Sequence, residues 1–170
     1  MKKTFCVSST MRDKRPPKNS WTAALRILSR RAQSEAMLFE KLKAKGVPEV
    51  EIPGLIQKAK DYQFLDDGAY ARMLIRRERQ RGRGVLNIRR TLKAHGINAA
   101  LANETAEAAD LGDPADELAR AQALIGKKIV KNKNMEPVKA FRFLLSRGFA
   151  PETARKASKF TLEIEGEFNE

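Results

Sequence analysis

Apolar residues recur through most of the chain at intervals of three and four, the spacing of one helical face, and almost nowhere in the alternation of a half-buried strand. Ala24, Leu25 and Leu28 mark one such stretch over Thr22 to Ala32, and Tyr70, Met73 and Leu74 mark another from Asp66 to about Arg81. A third carries Leu118, Ala121, Leu124 and Ile125 behind Asp113-Pro114-x-Asp116, an N-cap, a proline at the first helical position and a first-turn acid. Asp66-Asp67 stands immediately before an apolar-periodic run, so it reads as a helix cap rather than as a carboxylate pair for metal or acid–base work.

The helix stops repeat. Leu42-Lys43-Ala44-Lys45-Gly46-Val47 returns as Leu92-Lys93-Ala94-His95-Gly96-Ile97 and, more loosely, as Leu144-Leu145-Ser146-Arg147-Gly148-Phe149, with the glycines 50 and 52 residues apart. A base in the last turn meets the negative end of the helix dipole, and Gly just past the end takes the left-handed conformation. The next apolar residue packs back onto the helix it follows. Pro48-Glu49, Asn98 and Pro151-Glu152 then start another helix each time. The predicted fold is all-α: three tandem three-helix repeats over about 21–65, 66–112 and 113–160, stacked as an elongated, curved array because each set is too small to bury its own face. Residues 1–20, broken by Pro16 and Pro17, read as a flexible basic arm, and 161–170, with four Glu and no base, as an acidic tail.

Charge narrows the function. Lys and Arg number 34 against 21 Asp and Glu, a formal net charge of +13, which favours a polyanionic partner such as nucleic acid or an acidic protein surface. The surplus is concentrated in the middle repeat, where Arg72 to Lys93 holds nine bases and one acid, Glu78, and every base but Lys93 is Arg. Arg72, Arg76, Arg79 and Arg83 follow spacings of four, three and four, a single stripe opposite Tyr70, Met73 and Leu74. On the next helix Arg89, Arg90 and Lys93 share a face, with Val85, Ile88 and Leu92 on the other. Solvated faces normally mix Lys with Glu; a face of almost pure Arg suits phosphate and carboxylate, and these seven bases are the candidate binding residues. Gly82-Arg83-Gly84 reads as a tight, exposed turn between the two helices.

Several chemistries are excluded. One cysteine, Cys6, rules out an internal disulfide framework and a Cys-based zinc site, and one histidine, His95, removes the paired-histidine zinc motif. His95 holds the basic position of a repeated helix stop and reads as structural. No GxxxxGK[ST] occurs, so no nucleotide cofactor is expected. Trp21 and Phe39 read as core residues rather than base-stacking platforms. No apolar run approaches a membrane span and the basic start is not a signal peptide, so a cytoplasmic, monomeric, non-catalytic protein is expected.

In its motifs the chain resembles the RecX family of bacterial recombination regulators. The carrying residues are Ala24-Leu25-x-x-Leu28-x-Arg30-Arg31-x-x-Ser34, then Phe64-Leu65-Asp66-Asp67-x-x-Tyr70-Ala71. They continue as Arg79-x-x-Gly82-Arg83-Gly84-x-x-x-Ile88-x-x-x-Leu92-x-x-x-Gly96-Ile97 and Phe143-Leu144-Leu145-Ser146-Arg147-Gly148-Phe149, so the likeness spans about 21–160. Three departures stand out. Gln63 replaces the Gly that usually precedes the aromatic-Leu-Asp-Asp motif, Val85 and Asn87 replace a Pro and an Arg, and Pro53-Gly54 would delay the third helix to about Leu55.

The resemblance implies a negative regulator of RecA in DNA repair and the SOS response. It would bind the RecA filament on single-stranded DNA, along the helical groove, and suppress ATP hydrolysis, strand exchange and co-protease function. A stiff array with one basic side fits such a role, since many modest contacts along a filament add through high effective concentration. The rival reading is an autonomous basic helical module that binds DNA directly. Against it, a major-groove reader is expected to mix Asn, Gln or Ser among its bases.

Overall fold

The structure is a computed structural model that describes residues 19–109, 111, 113–131 and 135–167; most of the proposed arm, at 1–18, and tail residues 168–170 lie outside them. The described residues form helices and no strand: α1 (Ser20–Leu28), α2 (Glu35–Ala44), α3 (Ile52–Asp61), α4 (Asp67–Gln80), α5 (Val85–Ala94), α6 (Ala99–Glu107), α7 (Pro114–Lys131), α8 (Pro137–Arg147) and α9 (Pro151–Glu167). The fold is all-α and built from successive three-helix sets. It divides between Leu65 and Asp66 into two compact units, α1–α3 and α4–α9.

The first unit closes α1 and α3 around α2. Ala24, Ile27, Leu38, Leu42, Val47, Ile52, Ala59 and Leu65 form its core, with Trp21 and Phe39 packed partly buried against it. Asn19 caps α1 by accepting from the Thr22 N–H at 3.2 Å, and Ser34 caps α2 by accepting from Met37 N–H at 3.2 Å. α1 ends at Leu28 rather than near Ala32, because the chain must leave the helix in time to deliver Ser34, fully buried and extended, to that cap. α3 begins at Ile52, not at about Leu55: Pro53 lies in the first turn, where its fixed φ suits the helix and its missing N–H costs nothing.

All three glycine stops take the left-handed conformation, with φ of 80° at Gly46, 71° at Gly96 and 83° at Gly148. After each, the following N–H reaches back across the last turn: Val47 to Leu42 O at 3.2 Å, Ile97 to Leu92 O at 3.1 Å, Phe149 to Leu144 O at 3.2 Å. Val47, Ile97 and Phe149 are buried, so each stop fixes the helix end and the core together.

α3 ends in the same motif without a glycine. Gln63 has φ of 57°, its N–H donates to Lys60 O at 2.8 Å and the Phe64 N–H donates to Ala59 O at 2.8 Å. Gln63 thus occupies the left-handed site at a cost of about 1–2 kcal/mol to a residue with a Cβ. Gln63→Gly should therefore raise stability by about 0.5–1 kcal/mol, the relief being partly offset by the freer unfolded chain. Urea denaturation of the first unit's transition checks this, and an unchanged or lower midpoint would refute the strain.

In the second unit α4 packs on α5 and α6, while α7 and α8 pack on α9. Asp66 caps α4, accepting from Ala69 N–H at 2.9 Å, and Asp113 caps α7, accepting from Ala115 and Asp116 N–H at 3.0 and 3.3 Å. The inward stripe of α4 is Tyr70, Ala71, Leu74, Ile75 and Glu78, and Met73, expected among the apolar positions, is exposed, one residue off that stripe. On α5 the inward residues are Ile88 and Leu92. Ala121, Ile125, Ile129, Ala140, Leu144, Phe149, Ala154 and Ala157 are buried in the last set.

The Gly82-Arg83-Gly84 turn is not the exposed connection its composition suggests. Gly84 is buried and both neighbours are half-buried, because the turn docks against α7 and the α8 stop. Gly84 N–H donates to Arg147 O and Leu86 N–H to Gly148 O, each at 3.0 Å. The Arg147 guanidinium donates to Arg81 O at 3.2 Å, and that of Arg120 donates to Arg83 O. A Cβ at Gly82, where φ is 68°, would lie 2.9 Å from Leu124 Cδ1. This seam makes α4–α6 and α7–α9 one body.

Candidate polyanion-binding surface

α4 and α5 carry the basic run, and the structure sorts its bases into two groups. Arg77, Arg79, Arg81 and Arg83 are turned to internal acids. The buried Glu78 carboxylate accepts from Arg77 Nε at 3.2 Å and from the Arg81 guanidinium at 3.0 Å, with Arg83 Nε at 4.0 Å. Arg79 reaches from α4 to Asp116 of α7 at 3.2 Å, and Asp116 lies 3.7 Å from the guanidinium of Arg120. Burial, and then the neighbouring Arg79 charge, push the Arg120 guanidinium below the ordinary arginine range, while Asp116 and Glu117 pull it back.

Arg72, Arg76, Arg89, Arg90 and Lys93 form the other group. All five are exposed, and none is in an ion pair among the described residues. Arg72 and Arg76 stand one turn apart on α4, as do Arg89 and Lys93 on α5, and these two helices pack together. Five unneutralised cations on two packed helices repel one another and gain nothing for the fold, whereas a polyanion would satisfy them all. The predicted stripe therefore divides: Arg72 and Arg76 point to solvent, and Arg79 and Arg83 tie the turn into the body.

Two buried carboxylates that the sequence reading left unassigned hold this surface in place. Glu78 is one; as the lone acid among nine bases it carried a signal of its own. Glu117 is the other. Gly84 sits at the N-cap of α5 with no side chain to cap it, and Glu117 of α7 supplies the acceptor, taking the Val85 N–H at 3.0 Å and the Thr153 hydroxyl at 3.1 Å. Nothing in the local sequence of α7 separates this Glu from an ordinary first-turn acid. His95 bonds the buried Tyr70 hydroxyl through Nδ1 at 2.9 Å, which pins the end of α5 to the start of α4.

Among the described residues no group of three metal-ligating side chains gathers, and no described helix is long and apolar enough to cross a membrane. The molecule is thus defined as a helical repeat protein that presents a basic, arginine-rich surface.

Family models and relatives agree on which one. Residues 21–58 match the model described as RecX, first three-helix domain, and residues 66–105 the model described as RecX, second three-helix domain. The chain is 34% identical over 148 residues to the regulatory protein RecX of Vibrio campbellii, covering 85% of this chain and 93% of that one. It is 32% identical over 136 residues to the regulatory protein RecX of Chromohalobacter salexigens, covering 79% and 87%. The crystal structure of RecX from Lactobacillus salivarius superposes with a TM-score of 0.70 over 84% of this chain and 94% of that one at 21% identity, a likeness of fold. The chain belongs to the RecX family, whose named members here are regulatory proteins.

Proposed function

We propose that the protein is a non-catalytic negative regulator of RecA that binds the RecA filament on single-stranded DNA and inhibits its ATPase, strand-exchange and co-protease activities. The observation that carries this reading is the exposed set Arg72, Arg76, Arg89, Arg90 and Lys93, left without acidic partners in a chain of the RecX family. Acidic filament walls or DNA phosphates are the groups such a surface takes up, and arginine meets either through two parallel hydrogen bonds. Arg79 and Arg83 contribute by holding the α4–α5 turn in place.

The test is the single-stranded-DNA-dependent ATPase rate of purified RecA with and without this protein, alongside its binding to bare DNA at equal salt. Inhibition at concentrations far below those that coat bare DNA is the expected result. Inhibition confined to concentrations at which the DNA is already sequestered would instead identify an autonomous DNA-binding module.

A further inference from the structure

The first unit carries a second concentration of positive charge, separate from α4 and α5. A cavity of about 710 Å³ opens between the last turn of α1, the turn that follows it and the last turn of α2. Arg26, Arg30, Arg31, Lys41 and Lys45 line it, and no acid does. None of these five is in an ion pair among the described residues, whereas other bases of the same unit are: Lys43 with Glu49 at 2.7 Å and Lys60 with Glu35 at 2.6 Å.

The wall is built rather than incidental. Gln33, only 3% exposed, donates from its amide nitrogen to Arg31 O at 3.1 Å and accepts from Lys41 Nζ through its amide oxygen. One buried side chain thereby fixes the strand of backbone that carries Arg30 and Arg31 against the lysine across from it. Burial, and then the charge of Arg31, push Lys41 below the ordinary lysine range, as expected where cations crowd without a counter-ion.

The simplest structural account of bases at this place is that they neutralise helix C-termini, and its magnitude falls short. Two helix ends supply about −0.5 charge each, roughly −1 in all, against five cations. About four positive charges remain around a volume in the range of small-ligand sites, roughly 300–1,000 Å³. The lining has no aromatic ring to stack a base and no carboxylate to hold a sugar hydroxyl, only Ile27 and Ala44 as apolar surface. The ligand it suits is read by charge and by oxygens in a forked arrangement, and that is phosphate.

We propose that this cavity is a phosphate-binding site for a phosphate-rich anion, supplied either by the backbone of a nucleic-acid strand or by a free polyphosphate. The test uses the full chain without RecA, so its outcome is independent of the filament reading. Tripolyphosphate binding is measured by calorimetry and oligothymidylate binding by fluorescence anisotropy, for the natural chain, for Arg30→Glu with Arg31→Glu, and for Arg89→Glu with Arg90→Glu. Lys45→Glu serves as a second, single-site variant of the cavity. The cavity variants should keep their melting temperature, because these side chains are exposed, and should lose at least about tenfold in affinity, the α5 variant leaving tripolyphosphate binding unchanged.

Loss in the oligothymidylate arm, with the salt slope shallower by about two for two arginines removed, assigns the site to a strand backbone. Loss for tripolyphosphate alone assigns it to a free polyphosphate. Unchanged affinity for both probes in folded cavity variants would overturn the proposal.

Discussion

Replacing Gly84 by Ala should destabilise the second unit by about 3 kcal/mol or more, although the same change at an ordinary helix cap costs well under about 1 kcal/mol. The difference lies in what surrounds the residue. A Cβ at Gly84 would sit 2.3 Å from Phe149 N, 2.4 Å from Gly148 O and 2.4 Å from Phe149 Cα. These are backbone atoms of the α8 stop, held in turn by the Phe149 N–H bond to Leu144 O and by Phe149 packed in the core. No rotamer can yield, so α5 must move away from α8. That movement breaks the two seam hydrogen bonds of Gly84 and Leu86 and pulls Val85 N–H off Glu117. Thermal melting followed by circular dichroism should show a midpoint lower by about 10 °C or more. A midpoint within about a degree of the natural chain would show that the α4–α5 turn does not lie against the α8 stop.

Gly84 also marks where the sequence stopped being legible. Local chemistry carried most of the elements. Helix caps at Asp66 and Asp113, the three left-handed glycines and the apolar stripe of α7 each depend on residues a few positions apart, and spacing alone exposes them. The seam depends on partners 60 residues or more away, such as Asn87 with Arg147 O, and nothing in a Gly-Arg-Gly triplet distinguishes a mobile turn from a close backbone approach. The same separation hid Glu117, whose partners Val85 and Thr153 lie 32 and 36 residues off. Pro53-Gly54 misled for a different reason: both residues are helix breakers in an interior, yet in the first turn proline is favoured and the glycine has open space around it.

The candidate surface was legible in composition but not in allocation. Counting found nine bases against one acid, and only the fold shows which bases that acid and Asp116 take up. The stripe of Arg72, Arg76, Arg79 and Arg83 is regular in spacing, and α7 interrupts it by placing Asp116 beside Arg79. Helical periodicity defines a face; it does not say where along its length another helix covers it.

This allocation predicts opposite behaviour from two sets of charge reversals. Arg76→Glu with Arg89→Glu and Arg90→Glu removes three exposed cations that have no acidic partner, so the melting temperature should stay close to that of the natural chain. Each reversal replaces an attraction worth up to about 1 kcal/mol by a repulsion of similar size, so inhibition of the RecA ATPase should weaken at least about a hundredfold. Arg79→Glu with Arg83→Glu should do the reverse at first sight of the data. A carboxylate at position 79 would face Asp116 across the present 3.2 Å contact, and one at position 83 would face the buried Glu78. Two partly buried like-charge pairs should cost roughly 2–4 kcal/mol and lower the melting temperature before any contact with a partner is considered. Melting curves and inhibition titrations of both variants, measured at one salt concentration, separate the two effects. Full inhibition by the Arg76, Arg89, Arg90 variant would remove α4 and α5 from the filament contact, and unaltered melting of the Arg79, Arg83 variant would show that the internal ion pairs are not what holds the turn.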